Sequence, residues 1–290
     1  MQVRRTPVRW LAAAFGSAFA LAACSLLVSP NDYVGARPGP FADASLSEAS
    51  VDAKADDNAL ANIPGPLFVY YRFEGNAFDS SGNGRDGLQG GATSSVDAGG
   101  VVGSALACMA QGDRVLIGGD FRPGTSSFTL ALFYRVAMID GGAARTYNSL
   151  LVKGSAWEDS TNTSPGLGLG YNDLDHNVEG FIRDGITGHT WVVTHAAASA
   201  SVPLRDGNFH HLALVVDRDA SPAQVSLYVD GVIRDLTNIP AGYGPVDSTD
   251  TGKLCTEAAS QIELDGALDE VMIVSRALAA GEIVALAARR

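Results

Sequence analysis

Over several separate stretches of this chain every second residue is apolar, and that spacing restricts the fold more than any other feature. Leu67, Val69, Tyr71 and Phe73 alternate, as do Phe128, Leu130, Leu132 and Tyr134, and again Val225, Leu227 and Val229. A period of two sends successive side chains to opposite faces of a strand, so one face meets a core and the other meets water. Phe209–Asp217 is apolar after its two histidines, the mark of a strand buried on both faces. Turn chemistry separates the runs: Asp79-Ser80-Ser81-Gly82-Asn83-Gly84, Asp206-Gly207-Asn208 and Asp230-Gly231. The last of these sits between two apolar runs and predicts a tight hairpin. Roughly a dozen such runs with one texture and no internal repeat predict a single all-β antiparallel sandwich over 66–290. The helical candidate is the tail, 281–288, where Ile283, Val284 and Leu286 could pack one turn onto a sheet.

The first 65 residues read differently. Arg4, Arg5 and Arg9 precede an apolar run from Trp10 to Ala23. That run is too short to span a hydrocarbon core of about 30 Å stably. A basic start, a short apolar segment and small residues before a cut point predict a secretory signal peptide over 1–23. Residues 24–65 are rich in Ala, Ser, Asp and Pro, and 25–62 carry six acids against Arg37 and Lys54. With so little apolar surface to offset ordering entropy, 24–65 is expected to be a disordered acidic tether.

Charge narrows the partners. The whole chain has 20 Lys and Arg against 32 Asp and Glu, a net −12. Loss of the three leader arginines leaves 17 against 32, or −15. Such a surface repels phosphate backbones, so no nucleic acid is expected as a partner. Cys24 lies at the predicted cut point, leaving Cys108 and Cys255. In an oxidising compartment an even pair reads as one disulfide, with two separate buried thiols as the other possibility.

Leu21-Ala22-Ala23-Cys24 resembles the bacterial lipobox, which implies lipidation of Cys24 and a chain anchored at its new N-terminus. Ser25 after the cysteine, by the same resemblance, implies the outer membrane or cell surface. Several acyl chains, at about 0.8 kcal/mol per buried CH₂, hold where one does not. Four ordered segments of the folded part are similar to the laminin-G-like branch of the concanavalin A-like jelly rolls. They are Tyr71–Gly84 with its Asp-Ser-Ser-Gly-Asn-Gly loop, Ser127–Arg135, Asp206–Asp217 with Val225–Gly231, and Gly266–Leu278. Phe209 stands where that family usually has Trp.

The resemblance implies a jelly-roll sandwich with a short C-terminal helix, and in many relatives an ion where the first loop meets the last strand. Carried over, a structural Ca²⁺ would be held by Asp79, Asn83 and Asp269, oxygen ligands of the kind hard cations prefer. The same residues are explained equally by turn chemistry, with Asp269 and Glu270 bonding loops and His210 and His211 purely structural.

For function the resemblance leaves three readings. A laminarinase-type glycoside hydrolase needs paired carboxylates about 5–5.5 Å apart for retention. Glu263, Asp265 and Asp269 are similar to its acidic motif, but that motif wants a Glu where Ala267 or Leu268 stands. No nucleophile elbow, zinc-type His cluster or phosphate loop is present. The chain is therefore expected not to be an enzyme. The favoured reading is a lipid-anchored extracytoplasmic binding module that recognises a glycan or a cell-surface protein through loops at one rim. Trp157, in the polar stretch 154–166, is the candidate contact aromatic; Tyr171 and His189 are further ones, and Trp191 is expected instead to pack in a strand. A purely structural envelope lipoprotein is the third reading.

Overall fold

The computed structural model describes residues 63–289 except 92–94, 110–111, 137–146, 155–163, 173–176, 187–188, 190–191, 198–203, 257–263 and 265. The expected leader with Cys24, most of the tether, and Trp157, Trp191, Glu263 and Asp265 lie outside the described residues. The alternating runs become strands: β1 (Leu67–Tyr71), β2 (Leu88–Gly90), β3 (Ser95–Gly99), β4 (Ser104–Cys108), β5 (Arg114–Leu116), β6 (Phe128–Val136), β7 (Tyr147–Gly154) and β8 (Gly166–Asn172). They continue as β9 (Asn177–Arg183), β10 (Val192–Ala197), β11 (His210–Asp217), β12 (Gln224–Val229), β13 (Val232–Asn238), β14 (Lys253–Leu254) and β15 (Gly266–Val274), followed by the helix α1 (Ala280–Ala287).

Two antiparallel sheets face each other. One runs β13-β12-β11-β6-β15-β4-β3, with β1 also on β15; the other runs β10-β9-β8-β7-β14-β5-β2. The inward residues of both make one core, in which Val69, Tyr71, Phe128, Leu130, Leu132 and Tyr134 meet Leu167, Leu169, Val178 and Ile182. A disulfide joins Cys108, at the end of β4, to Cys255, just past β14, and so ties one sheet to the other. The Asp230-Gly231 hairpin has both residues at positive φ (49° and 78°), as the tight β12–β13 turn requires.

The outer face of the first sheet is apolar as well. Tyr70, Ala131, Ala213, Val215, Met272 and Val274 form a second cluster, and α1 covers it with Ile283 and Leu286. Val284, expected to pack with them, points outward and is exposed, while Ala287 takes the buried position one turn further on. A period of 3.6 permits Ile283, Leu286 and Ala287 on one face but not Val284. Ala279 offers the helix no capping side chain, but its N–H donates to Glu282 Oε2 at 2.9 Å. Arg276 grips both oxygens of the same Glu282 at 2.8 and 2.6 Å.

β15 holds the first sheet together. Gly266–Leu268 pair with β4, whereas Val271–Val274 pair with β1. The register slips between Asp269 and Met272, and Glu270 takes a φ of +50°. The Asp-Glu pair of the last motif thus sits where one neighbour ends and the next begins.

Candidate binding site at the loop end

The strand registers bring several connections to one end of the sandwich. Phe128 of β6 pairs opposite Val216 of β11, Asp217 opposite Gln224, and Thr129 opposite Val274. The segment before β6, residues 117–127, therefore lies beside 218–223 and the residues after β15. It also meets 239–252, because Gly124 N–H donates to Asp247 Oδ1 at 2.7 Å and Gly124 O accepts from Val246 N–H.

Residues 117–127 fold as they do because glycine occurs where nothing larger fits. A Cβ on Gly118 would lie 2.4 Å from the carbonyl oxygen of Arg85, and Gly119 has a φ of +75°. The hydroxyl of the buried Tyr71 accepts from Gly118 N–H and donates to Arg85 O, both at 2.8 Å, which fixes the close approach. Burial pushes that hydroxyl's pKa up to about 12, so it stays protonated and able to donate.

A cleft of about 280 Å³ opens between this segment, the start of β1 and the end of β15. Its floor is aromatic: Phe68 and Phe121 have ring centroids 5.0 Å apart, and Phe121 meets Phe128 edge-on at 5.6 Å. The Arg85 guanidinium covers the Phe68 ring at 3.9 Å. Ser126, Ser127 and Ser275 line the walls. The lip is charged. Asp120 Oδ2 accepts from Arg122 Nε at 2.5 Å, and Oδ1 accepts from Lys153 Nζ at 2.9 Å. Hydrogen bonds from Lys153, then Arg122, hold the Asp120 carboxyl below its ordinary value, so the acid is ionised. Lys153 also donates to the Asp250 carbonyl and is buried.

A second cluster stands on the same end. His189 stacks on Tyr243 with centroids 5.5 Å apart and planes 10° from parallel. Its Nδ1 lies 2.6 Å from Asp184 Oδ2, and Arg218 donates to the Tyr243 and Gly244 carbonyls. Asp184 also accepts from the N–H groups of Ile186 and Gly244, which offset its burial and keep its pKa below the usual value. Of the aromatics read from sequence as contacts, His189 lies on this end, half exposed, while Tyr171 is buried in the core.

The residues expected to share calcium are engaged separately. Asp79 Oδ1 accepts from Tyr70 N–H and Ser81 N–H at 3.0 and 2.9 Å, and Oδ2 from Arg85 N–H at 3.0 Å. Asn83 Nδ2 donates to the Leu67 carbonyl at 2.9 Å. Asp269 faces a different turn: its Oδ2 accepts from Val101 N–H at 2.7 Å, and its Oδ1 from Glu270 N–H at 2.8 Å. Among the described residues no group of three or more His, Cys, Asp and Glu gathers as a metal site. Burial, more than the adjacent Glu270, pushes the Asp269 carboxyl up to about 7. Of the two motif histidines, His210 is clamped between Asp230 (2.8 Å) and Asp206 (3.1 Å), and His211 meets Phe133 edge-on.

Residues 110–284, more than half the chain, match the family model described as the concanavalin A-like lectin/glucanases superfamily. The chain belongs to that superfamily. Solved structures similar to this concanavalin A-like domain include the binding domain of Paraclostridial Mosquitocidal Protein 1, with 17% identity and a TM-score of 0.57 over 72% of this chain and 48% of that one. The binding domain of botulinum neurotoxin serotype G matches with 10% identity and a TM-score of 0.58, over 76% of this chain and 50% of that one. Domain 4 of AbnA, a GH43 extracellular arabinanase from Geobacillus stearothermophilus, was solved in complex with arabinotriose. It matches with 20% identity and a TM-score of 0.54, over 76% of this chain and 98% of that domain. The chain spans about half the length of the two toxin domains. At these identities the likeness is one of fold. No curated protein sequence matches the chain.

Proposed function

We propose that this protein is a lipid-anchored, extracytoplasmic module that binds a glycan at the loop end of its concanavalin A-like sandwich. The aromatic-floored cleft beside Phe68 and Phe121 carries the reading. It is concave, partly apolar, and rimmed by hydroxyls and one fixed ion pair, the mixture that orients a polyhydroxylated ligand over a flat ring. A similar sandwich in the arabinanase holds a trisaccharide, which supports a sugar over a protein as the ligand class.

Binding without turnover is the accompanying proposal. Asp269, one of the acids similar to the hydrolase motif, is fully buried in β15 and has both oxygens engaged by backbone N–H groups. That leaves it no opening toward a substrate. Lipidation of Cys24, with the outer membrane or cell surface as location, rests on the leader sequence.

A glycan array probed with the full-length chain in detergent tests the binding reading. A reproducible set of retained glycans is expected, and no retention across neutral and acidic glycans overturns it. Cys24→Ala tests the anchor separately: the variant should move from the detergent to the aqueous phase on partitioning, and its retention with the membrane overturns the assignment.

A further inference from the structure

Arg122 is held in a way that the glycan reading alone does not explain. Its Nε is fixed to Asp120, Asp120 is fixed in turn by Lys153, and Lys153 is buried against the Asp250 carbonyl. An exposed arginine ordinarily samples many rotamers. This one, a residue of the cleft lining, is anchored through its Nε alone. Among the described residues its Nη1 and Nη2 make no hydrogen bond. The Ser126 and Ser275 hydroxyls in the walls likewise have no side-chain partner among the described residues.

Resting on the glycan reading, we propose that the cleft takes a sugar residue bearing a carboxylate, with the free edge of Arg122 as its clamp. A planar guanidinium presents two parallel N–H donors that match the two oxygens of a carboxylate, a fit that ammonium groups lack. The sugar's apolar side packs against the half-buried Phe68 at the floor, and its hydroxyls reach Ser126 and Ser275. At about 280 Å³ the cleft has room for one such residue, not a chain segment. Asp120, on the lip beside it, is a positioning residue that sets the direction of Arg122.

The test is a titration of the full-length chain in detergent with glucuronate, its methyl ester and glucose, read by calorimetry and by chemical-shift changes at 120–127 and Ser275. Glucuronate should bind at least tenfold more tightly than the ester or glucose, and added salt should weaken it. Arg122→Gln should reduce glucuronate to the level of glucose. Arg234→Gln, which removes the same charge from the exposed strand β13, should change nothing. Asp120→Asn should weaken glucuronate more than glucose.

Equal binding of glucuronate, ester and glucose, untouched by Arg122→Gln, overturns the clamp while leaving the cleft a sugar site. A positive glycan array with no shift at 120–127 overturns the clamp and places the sugar elsewhere on the domain. Failure of the array together with all three titrations overturns the glycan reading and this inference with it.

Discussion

Arg289 Nη1 lies 2.9 Å from Glu270 Oε2, joining the residue just past the terminal helix to the kink of β15. The Glu270 carboxylate is wholly buried, accepts the Tyr70 hydroxyl, and has Arg72 Nε at 3.7 Å. Burial, with Glu270 next in weight, pushes the Tyr70 hydroxyl well above its ordinary range, so Tyr70 remains a donor at any physiological pH. Three distant segments, the end of β1, the kink of β15 and the tail after α1, thus close on one acid.

The first prediction follows from that closure. Arg289→Ala leaves a buried carboxylate with Arg72 as its remaining cation, and breaking a buried pair from one side costs about 3–5 kcal/mol. Because Arg289 is itself partly exposed, the expected loss in urea unfolding is toward the low end of that range. Glu270→Gln keeps a partner for Tyr70 and should cost less. Equal stability of Arg289→Ala and the parent would show that the tail does not depend on this contact.

The second concerns acidity. The Asp269 carboxyl titrates near 7 in the folded state against about 3.9 when unfolded. The folded pKa is raised, so the native state holds the proton more tightly than the unfolded chain. The contribution is fully present below about pH 4 and is lost as pH rises toward 7. Asp269→Asn should therefore remove a fall in stability between those limits, measured as unfolding free energy against pH. Parallel profiles for parent and variant would contradict the raised value.

The third concerns the bond between the sheets. Cys108 and Cys255 are separated by 147 positions, and closing a loop of that length removes about 5 kcal/mol of unfolded-chain entropy in the chain-entropy account. Double replacement by Ala should lower stability by about 2–5 kcal/mol and leave the β-rich circular dichroism intact. Two alkylatable thiols in freshly isolated protein would refute the pairing.

The fourth separates metal from brace at the Asp79–Gly84 loop. Each Asp79 oxygen already accepts backbone N–H groups, and a half-buried network broken from one side costs about 1 kcal/mol. Asp79→Ala should destabilise by that amount equally with calcium and with chelator. A melting temperature that rises with calcium and loses the rise in Asp269→Asn would instead place an ion between the loop and β15.

Much of the sandwich is legible in residue spacing, because a half-buried strand writes its burial directly into sequence. Phe128, Leu130, Leu132 and Tyr134 all enter the core as their alternation says. Leu67 does not: a bulge before Val69 turns it toward the cluster under α1, and no local pattern marks a bulge. The cleft is harder still. Phe68, Phe121 and Ser275 come from three segments far apart in sequence, and within each segment they read as ordinary strand or turn residues. The one local hint is Asp120-Phe121-Arg122-Pro123 between glycines, an aromatic and an ion pair set in a stretch otherwise built for turning. What makes these residues a site is tertiary juxtaposition, which spacing along the chain does not encode.

The placement of β15 also governs the order in which the domain is assembled. It is the last of the described strands in sequence, yet it occupies the middle of its sheet, with β6 along one edge and β4 and β1 sharing the other. On a chain emerging N-terminus first, β1 waits for a partner some two hundred residues away, as the separation of 200 between Tyr70 and Glu270 shows. Such distant pairings make closure slow. Until β15 is made, β1, β4 and β6 carry unpaired edges that it alone covers among the described strands.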